Sequence, residues 1–186
     1  MSQSHIILVR HGEASADWSS HPDPGLSKKG RLQAKNTRKS LINLITHYQL
    51  CSSPKKRALE TMEIINHENK YPVKIDSHFV EIPSANIHKD EKNDWLINIL
   101  TCPIEELPDS VREWRDNLIH WLQNAKGNFI ITTHFMVINV LVSSILNNNV
   151  IAHFHPDYAS RTEIFLKNGN LDQLILGNHK KTVINT

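Results

Sequence analysis

Residues 5–10, HIILVR, are apolar and rich in β-branched side chains without alternation. Such a run predicts a central strand buried on both faces, because a strand with one wet face alternates. Polar chemistry begins where the run stops: residues 12–26 are rich in Ser, Asp, Pro and His and predict a loop. Ser27 is placed to cap a helix whose buried face is Ala34, Thr37, Leu41, Leu44, Ile45 and Tyr48, recurring at helical spacing. A short strand over Gln49–Ser52 ends at Ser53-Pro54, and Ala58, Met62 and Ile65 mark the next helix.

Further on, residues 73–75 and 79–80 predict short extended pieces, and residues 90–100 a helix. Val111, Trp114, Leu118, Trp121, Leu122 and Ala125 form an amphipathic stripe that stops near Gly127, a helix C-terminal signal. NFIITT is another buried strand, residues 137–146 an apolar helix, and the runs 161–167 and 171–176 flank an Asn168-Gly169 turn as in a hairpin. Strands alternating with helices predict an α/β three-layer sandwich, its central sheet mostly parallel and flanked by helices, in one domain over residues 1–186.

Composition narrows the picture. A chain of 186 residues with 39% hydrophobic content is long enough for one sizeable core. No apolar run approaches the roughly 20 residues that cross a bilayer, so no membrane association is expected. No basic stretch followed by a leader-length apolar stretch opens the chain, and the expected location is cytoplasmic. Cys51 and Cys102 form neither a CxxC pair nor a disulfide framework and are expected as free thiols. Twenty-one basic against nineteen acidic residues give a scattered net charge of +2, which argues against a nucleic-acid partner. Nothing in the sequence indicates an oligomeric state.

In open α/β sheets ligands bind beyond the carboxyl ends of the strands, so the residues closing each strand are candidates for chemistry. The first strand ends in Arg10-His11-Gly12-Glu13, the second leads through Ser53-Pro54 to Arg57, and the third ends in Thr133-His134. Two imidazoles and two guanidiniums converging on one crevice suit a dianionic tetrahedral ligand, since Arg binds phosphate oxygens bidentately and stays charged. Ser53 has no G-x-S-x-G turn to present it as a nucleophile, and no GxxxxGK[ST] loop occurs. His153 and His155 make an HxH pair without a third ligand at sensible spacing, so no metal is expected there.

Four segments in order, LVRHGEAS, DPGLSKKGRLQA, SSPKKRALETMEI and NFIITTHFMVIN, resemble the histidine phosphatase superfamily, or phosphoglycerate mutase-like family, over essentially the whole chain. The resemblance implies a phosphoglycerate mutase-like fold and a phosphatase that hydrolyses a phosphate monoester through a phosphohistidine on His11, without cofactor or metal. It makes His11 the nucleophile, Arg10, Arg57 and His134 the phosphate pocket, and Glu81, in HFVEIP, the proton donor. Gly12 would let the backbone approach the phosphate closely, and the cations beside His11 should depress its pKa.

The chain departs from the family pattern at Phe135, where a small residue is common, at Ala14 in place of Ser or Thr, and at Asp17 in place of Asn. Asp17 is counted with the substrate-binding residues and rivals Glu81 as the general acid. The implied substrate is a small phosphorylated metabolite or a phosphoprotein side chain. Mutase-type phosphoryl transfer and non-catalytic binding of a phospho-ligand remain open alternatives.

Overall fold

A computed structural model describes residues 3–16, 21–84, 86–88 and 90–184. In chain order its elements are β1 (Gln3–Arg10), α1 (Lys28–Leu41), β2 (Gln49–Ser52), α2 (Lys56–Ile65), β3 (Val73–Ile75), α3 (Lys92–Thr101), α4 (Asp109–Asn124), β4 (Asn128–Thr133), α5 (Phe135–Ile145), β5 (Arg161–Lys167) and β6 (Asn170–Ile175). The strands form one sheet in the order β3-β2-β4-β1-β5-β6. Neighbours from β3 to β1 pair in parallel, and β5 pairs antiparallel with both β1 and β6, so the sheet is mostly parallel as expected.

The unbroken apolar run of β1 has its reason in the two cores. Ile6 and Leu8 pack on one face with Leu118 of α4 and Met136 and Val140 of α5. Ile7 and Val9 pack on the other with Leu41 of α1 and Met62 and Ile65 of α2. Alternate residues of a strand point to opposite faces, so a strand covered by helices on both sides must be apolar throughout. Ser27 caps α1 as expected, its Oγ accepting from the Gly30 N–H at 2.9 Å. Asn168 and Gly169 both take positive φ, the conformation a tight hairpin turn between β5 and β6 requires.

Two local expectations need correction. The buried stripe running to Tyr48 is real, but α1 stops at Leu41, and Ile45 belongs to a 3-10 turn (Ile45–His47) on the same core. The chain must become extended by Gln49 to pair with Phe129 of β4, and that long-range demand ends the helix early. Of the piece at residues 79–80 only Val80 is extended: Phe79 closes a 3-10 turn, Ser77–Phe79, capped by Asp76, whose carboxylate accepts from the His78 N–H. Trp114 and Trp121 pack into the core. Trp114 Nε1 donates to the Val80 carbonyl at 3.1 Å, and Trp121 meets Phe79 edge-on at 4.9 Å.

Candidate active site

The sheet order itself assembles the site. Pairing continues one residue past the strands: the His11 N–H donates to Thr133 O at 2.8 Å, and the Ser53 N–H to Thr132 O at 3.0 Å. Ser53, His134 and His11 therefore follow the ends of three adjacent strands, β2, β4 and β1, with His134 in the middle. The His134 ring lies 5.2 Å from the His11 ring on one side, and its Nε2 lies 2.7 Å from Ser53 Oγ on the other. All three side chains are enclosed. Arg57 enters from the first turn of α2, buried, with Asp23 3.8 Å from one of its terminal nitrogens.

The tautomer of His11 follows from its partners. Nδ1 lies 2.7 Å from the Gly12 carbonyl, which can only accept, so Nδ1 carries the proton. Nε2 is then a lone pair, and Arg57 Nε donates to it at 3.2 Å. Burial first, and then the charges of Arg57 and Arg10, hold His11 well below the usual imidazole pKa. Burial and Arg57 do the same to His134. Both rings are therefore neutral near pH 7.

Arg10 is wholly buried between two rings, 4.2 Å from that of Tyr158 and 5.3 Å from that of Phe135. Its terminal nitrogens donate to the carbonyls of Pro156 (2.8 Å) and Val183 (2.7 Å) and to Thr182 Oγ1, while Nε has no partner among the described residues. Phe135, bulky where the family pattern has a small residue, opens α5 beneath this guanidinium with 1% exposure. Gly12 makes its close approach within the protein. A Cβ there would sit 2.5 Å from the Gly30 carbonyl, and its N–H donates to Thr61 Oγ1 at 3.1 Å.

Glu81 is buried, unlike an acidic residue that merely faces solvent before a proline. Its carboxylate accepts from the Ile82 and Met136 N–H groups, each at 3.1 Å, so it also satisfies a free donor in the first turn of α5. Burial pushes its pKa up to about 7, against the pull of those donors and of Arg57 and Arg10. A carboxyl poised at that value can give a proton and take it back near neutrality. Asp17 lies outside the described residues.

His11, Arg10, Arg57, Glu81 and His134 thus converge, while His153 and His155 do not join them as a metal-binding pair, His155 packing on Phe135 with ring centroids 5.3 Å apart. His153 bonds to Asn148, and His155 also faces His179. Among the described residues no group of three or more His, Cys, Asp or Glu side chains could hold a metal ion, and no helix is long and apolar enough to cross a membrane. Sequence reasoning missed Tyr158 and Thr182, which cover Arg10 from the far end of the chain. No local motif marks either. The sequence marks Ser53 by its place at a strand end but not by its hydrogen bond to His134.

The family model of the histidine phosphatase superfamily (branch 1) matches residues 6–178. Among solved structures, the α-ribazole phosphatase of Shigella flexneri superposes with a TM-score of 0.74 at 18% identity, covering 97% of this chain and 100% of that one. A phosphoserine phosphatase of Entamoeba histolytica, in complex with 3-phosphoglyceric acid, gives 0.73 at 20% identity over 96% and 98%. A phosphoglycerate mutase of Bacillus anthracis gives 0.70 at 16% over 94% and 92%. Among curated proteins, 112 residues, 58% of the chain, are 29% identical to a stretch of the immunoglobulin A1 protease of Streptococcus pneumoniae, a match that spans only 6% of that protein.

Proposed function

We propose that this chain, which belongs to the histidine phosphatase superfamily (branch 1), is a phosphatase that hydrolyses a phosphate monoester through a phosphohistidine on His11. The observation that carries this reading is the tautomer: His11 holds its proton on Nδ1 against the Gly12 carbonyl and keeps the Nε2 lone pair among cations. In the first step Nε2 attacks phosphorus as the bond to the leaving oxygen breaks, and Glu81 gives that oxygen its proton. In the second, Glu81 takes a proton from water as the water oxygen attacks phosphorus. The P–N bond breaks, releasing inorganic phosphate and restoring His11. Arg57, Arg10 and His134 stabilise charge on the equatorial oxygens, a role metals fill in many phosphoryl transfers. EDTA should therefore leave activity intact, and vanadate should inhibit competitively.

The substrate class is a small phosphorylated metabolite or a phosphorylated protein side chain, with the cytoplasm as the expected compartment. The relatives named above for α-ribazole phosphate and phosphoserine chemistry support the metabolite. Mutase-type transfer is the second reading, favoured by the fold shared with a phosphoglycerate mutase. A mutase must keep its ligand and exclude water between half-reactions.

A panel including phosphoserine, 3-phosphoglycerate, α-ribazole phosphate and phosphopeptides, assayed with wild type beside His11→Ala, tests the proposal. Release of inorganic phosphate by wild type alone is expected. Transfer to an acceptor without release would favour the mutase, and equal release by the variant would overturn the role of His11.

A further inference from the structure

We infer that Ser53 is a positioning residue that fixes the proton of His134 on Nδ1, leaving that N–H as a preset donor for a phosphoryl oxygen. The inference rests on the phosphatase reading for its use, but the proton count that carries it does not.

Ser53 Oγ lies 2.7 Å from His134 Nε2 and accepts from the Lys55 N–H at 3.3 Å. The Ser53 side chain is enclosed, and His134 Nδ1 is buried without a partner among the described residues. Two proton arrangements fit the short contact. If His134 donates from Nε2, the Ser53 hydroxyl hydrogen has no acceptor among the hydrogen bonds described, and Nδ1 is left as an unmatched lone pair. Two buried groups are then orphaned. If Ser53 donates to Nε2, the hydroxyl both accepts from Lys55 and donates to the ring, and the only orphan is the Nδ1 N–H. Buried polar groups are rarely left unpaired, so the second arrangement is strongly preferred.

The single orphan is also the right kind. A donor beside His11 and Arg57 complements an anion, whereas a lone pair there would repel one. A serine beside a histidine is equally the signature of an activated nucleophile. Here, however, among the described residues the ring has no third group to orient it through Nδ1. The same 2.7 Å contact therefore orders the histidine and not the serine.

The test is the tautomer of His134, read by two-bond ¹H–¹⁵N correlation on ligand-free protein labelled at histidine nitrogen, at pH 8, with His134→Gln to assign the signal. In wild type Nδ1 should be the protonated, pyrrole-type nitrogen and Nε2 the unprotonated one. Ser53→Ala should move the ring toward the Nε2–H form and lower kcat about tenfold to a hundredfold, the scale of one hydrogen bond to a charged group. Ser53→Thr should keep both tautomer and turnover.

A role in packing alone would lower Tm and leave the tautomer in place. Nε2–H in wild type overturns the inference, as does an unchanged tautomer in Ser53→Ala. If Ser53→Ala does not fold, wild type and Ser53→Thr still decide it. A protein that hydrolyses no phosphate monoester but shows Nδ1–H on His134 would refute the phosphatase reading while upholding this one.

Discussion

The two ends of β1 each carry a histidine environment, half-buried at its start and enclosed past its end, and they differ in what partners the rings. At the start of the strand, His5 has both ring nitrogens engaged: Nδ1 with the Tyr48 hydroxyl, Nε2 with the Glu163 carboxylate at 2.8 Å, and the ring stacked on Phe165 at 3.9 Å. Arg161 completes the cluster by pairing with Glu163 at 2.9 Å. Past the other end, His11 and His134 sit among Arg10 and Arg57, and among the described residues no carboxylate bonds to either ring: His11 Nε2 accepts from the Arg57 guanidinium, and His134 Nδ1 has no partner. A histidine bonded to a carboxylate and a hydroxyl holds the fold together. Histidines set among cations, with no carboxylate to balance them, suit an anion.

The largest expected effect sharpens this contrast. His11→Ala should abolish turnover, by about 10⁶-fold as for other covalent nucleophiles, with an unchanged circular dichroism spectrum. Next, Arg57→Ala should lower kcat by about 10³-fold, the lower range for arginines that stabilise a transferring phosphoryl group. A tenfold effect or less would mean that Arg57 only holds the ligand-free arrangement.

Glu81→Gln should slow alkyl phosphates by about 10²- to 10⁴-fold and nitrophenyl phosphate far less, because only the alkoxide needs a proton as it leaves. The general acid must be protonated, so kcat/KM for an alkyl phosphate should fall as pH rises through about 7. The limb in kcat should lie higher, since a bound dianion raises the carboxyl further. Both limbs should vanish in Glu81→Gln. A leaving-group dependence confined to Asp17→Asn would transfer the acid role to Asp17.

The smallest effects fall on stability. His5→Gln should leave turnover intact and cost about 1–2 kcal/mol in urea unfolding. Because His11 and His134 are held well below 6.5 in the folded state, the unfolded chain binds their protons first as pH falls. Each then removes about 1.4 kcal/mol of stability per pH unit below 6.5. Glu81 opposes this between about 4.5 and 7, where the folded state holds its extra proton. Stability should therefore drop less steeply in a His11→Gln/His134→Gln double variant as pH is lowered from 6.5.

The strand-end residues were legible in the sequence because a parallel strand covered on both faces writes an unbroken apolar run. The polar residue that ends the run is the first one free to do chemistry. His11, Ser53 and His134 could each be found that way, and the hairpin after β5 by its Asn168-Gly169 turn. What could not be read depends on distant contacts. The early end of α1 is imposed by β2 pairing with β4, and the cover over Arg10 comes from Tyr158 and Thr182, far away in the chain. The burial of Glu81 arises because α5 offers it backbone donors. The role of Ser53 appears only once the sheet order sets β2 beside β4.

The most direct test of the central claim is a rapid quench of wild type with ³²P-labelled substrate, followed by chemical stability and peptide mapping of the trapped label. Acid-labile, base-stable phosphate on the peptide containing His11 is the predicted result. Label on Ser53 or on an aspartate, or rapid turnover with no covalent label at any quench time, would contradict it.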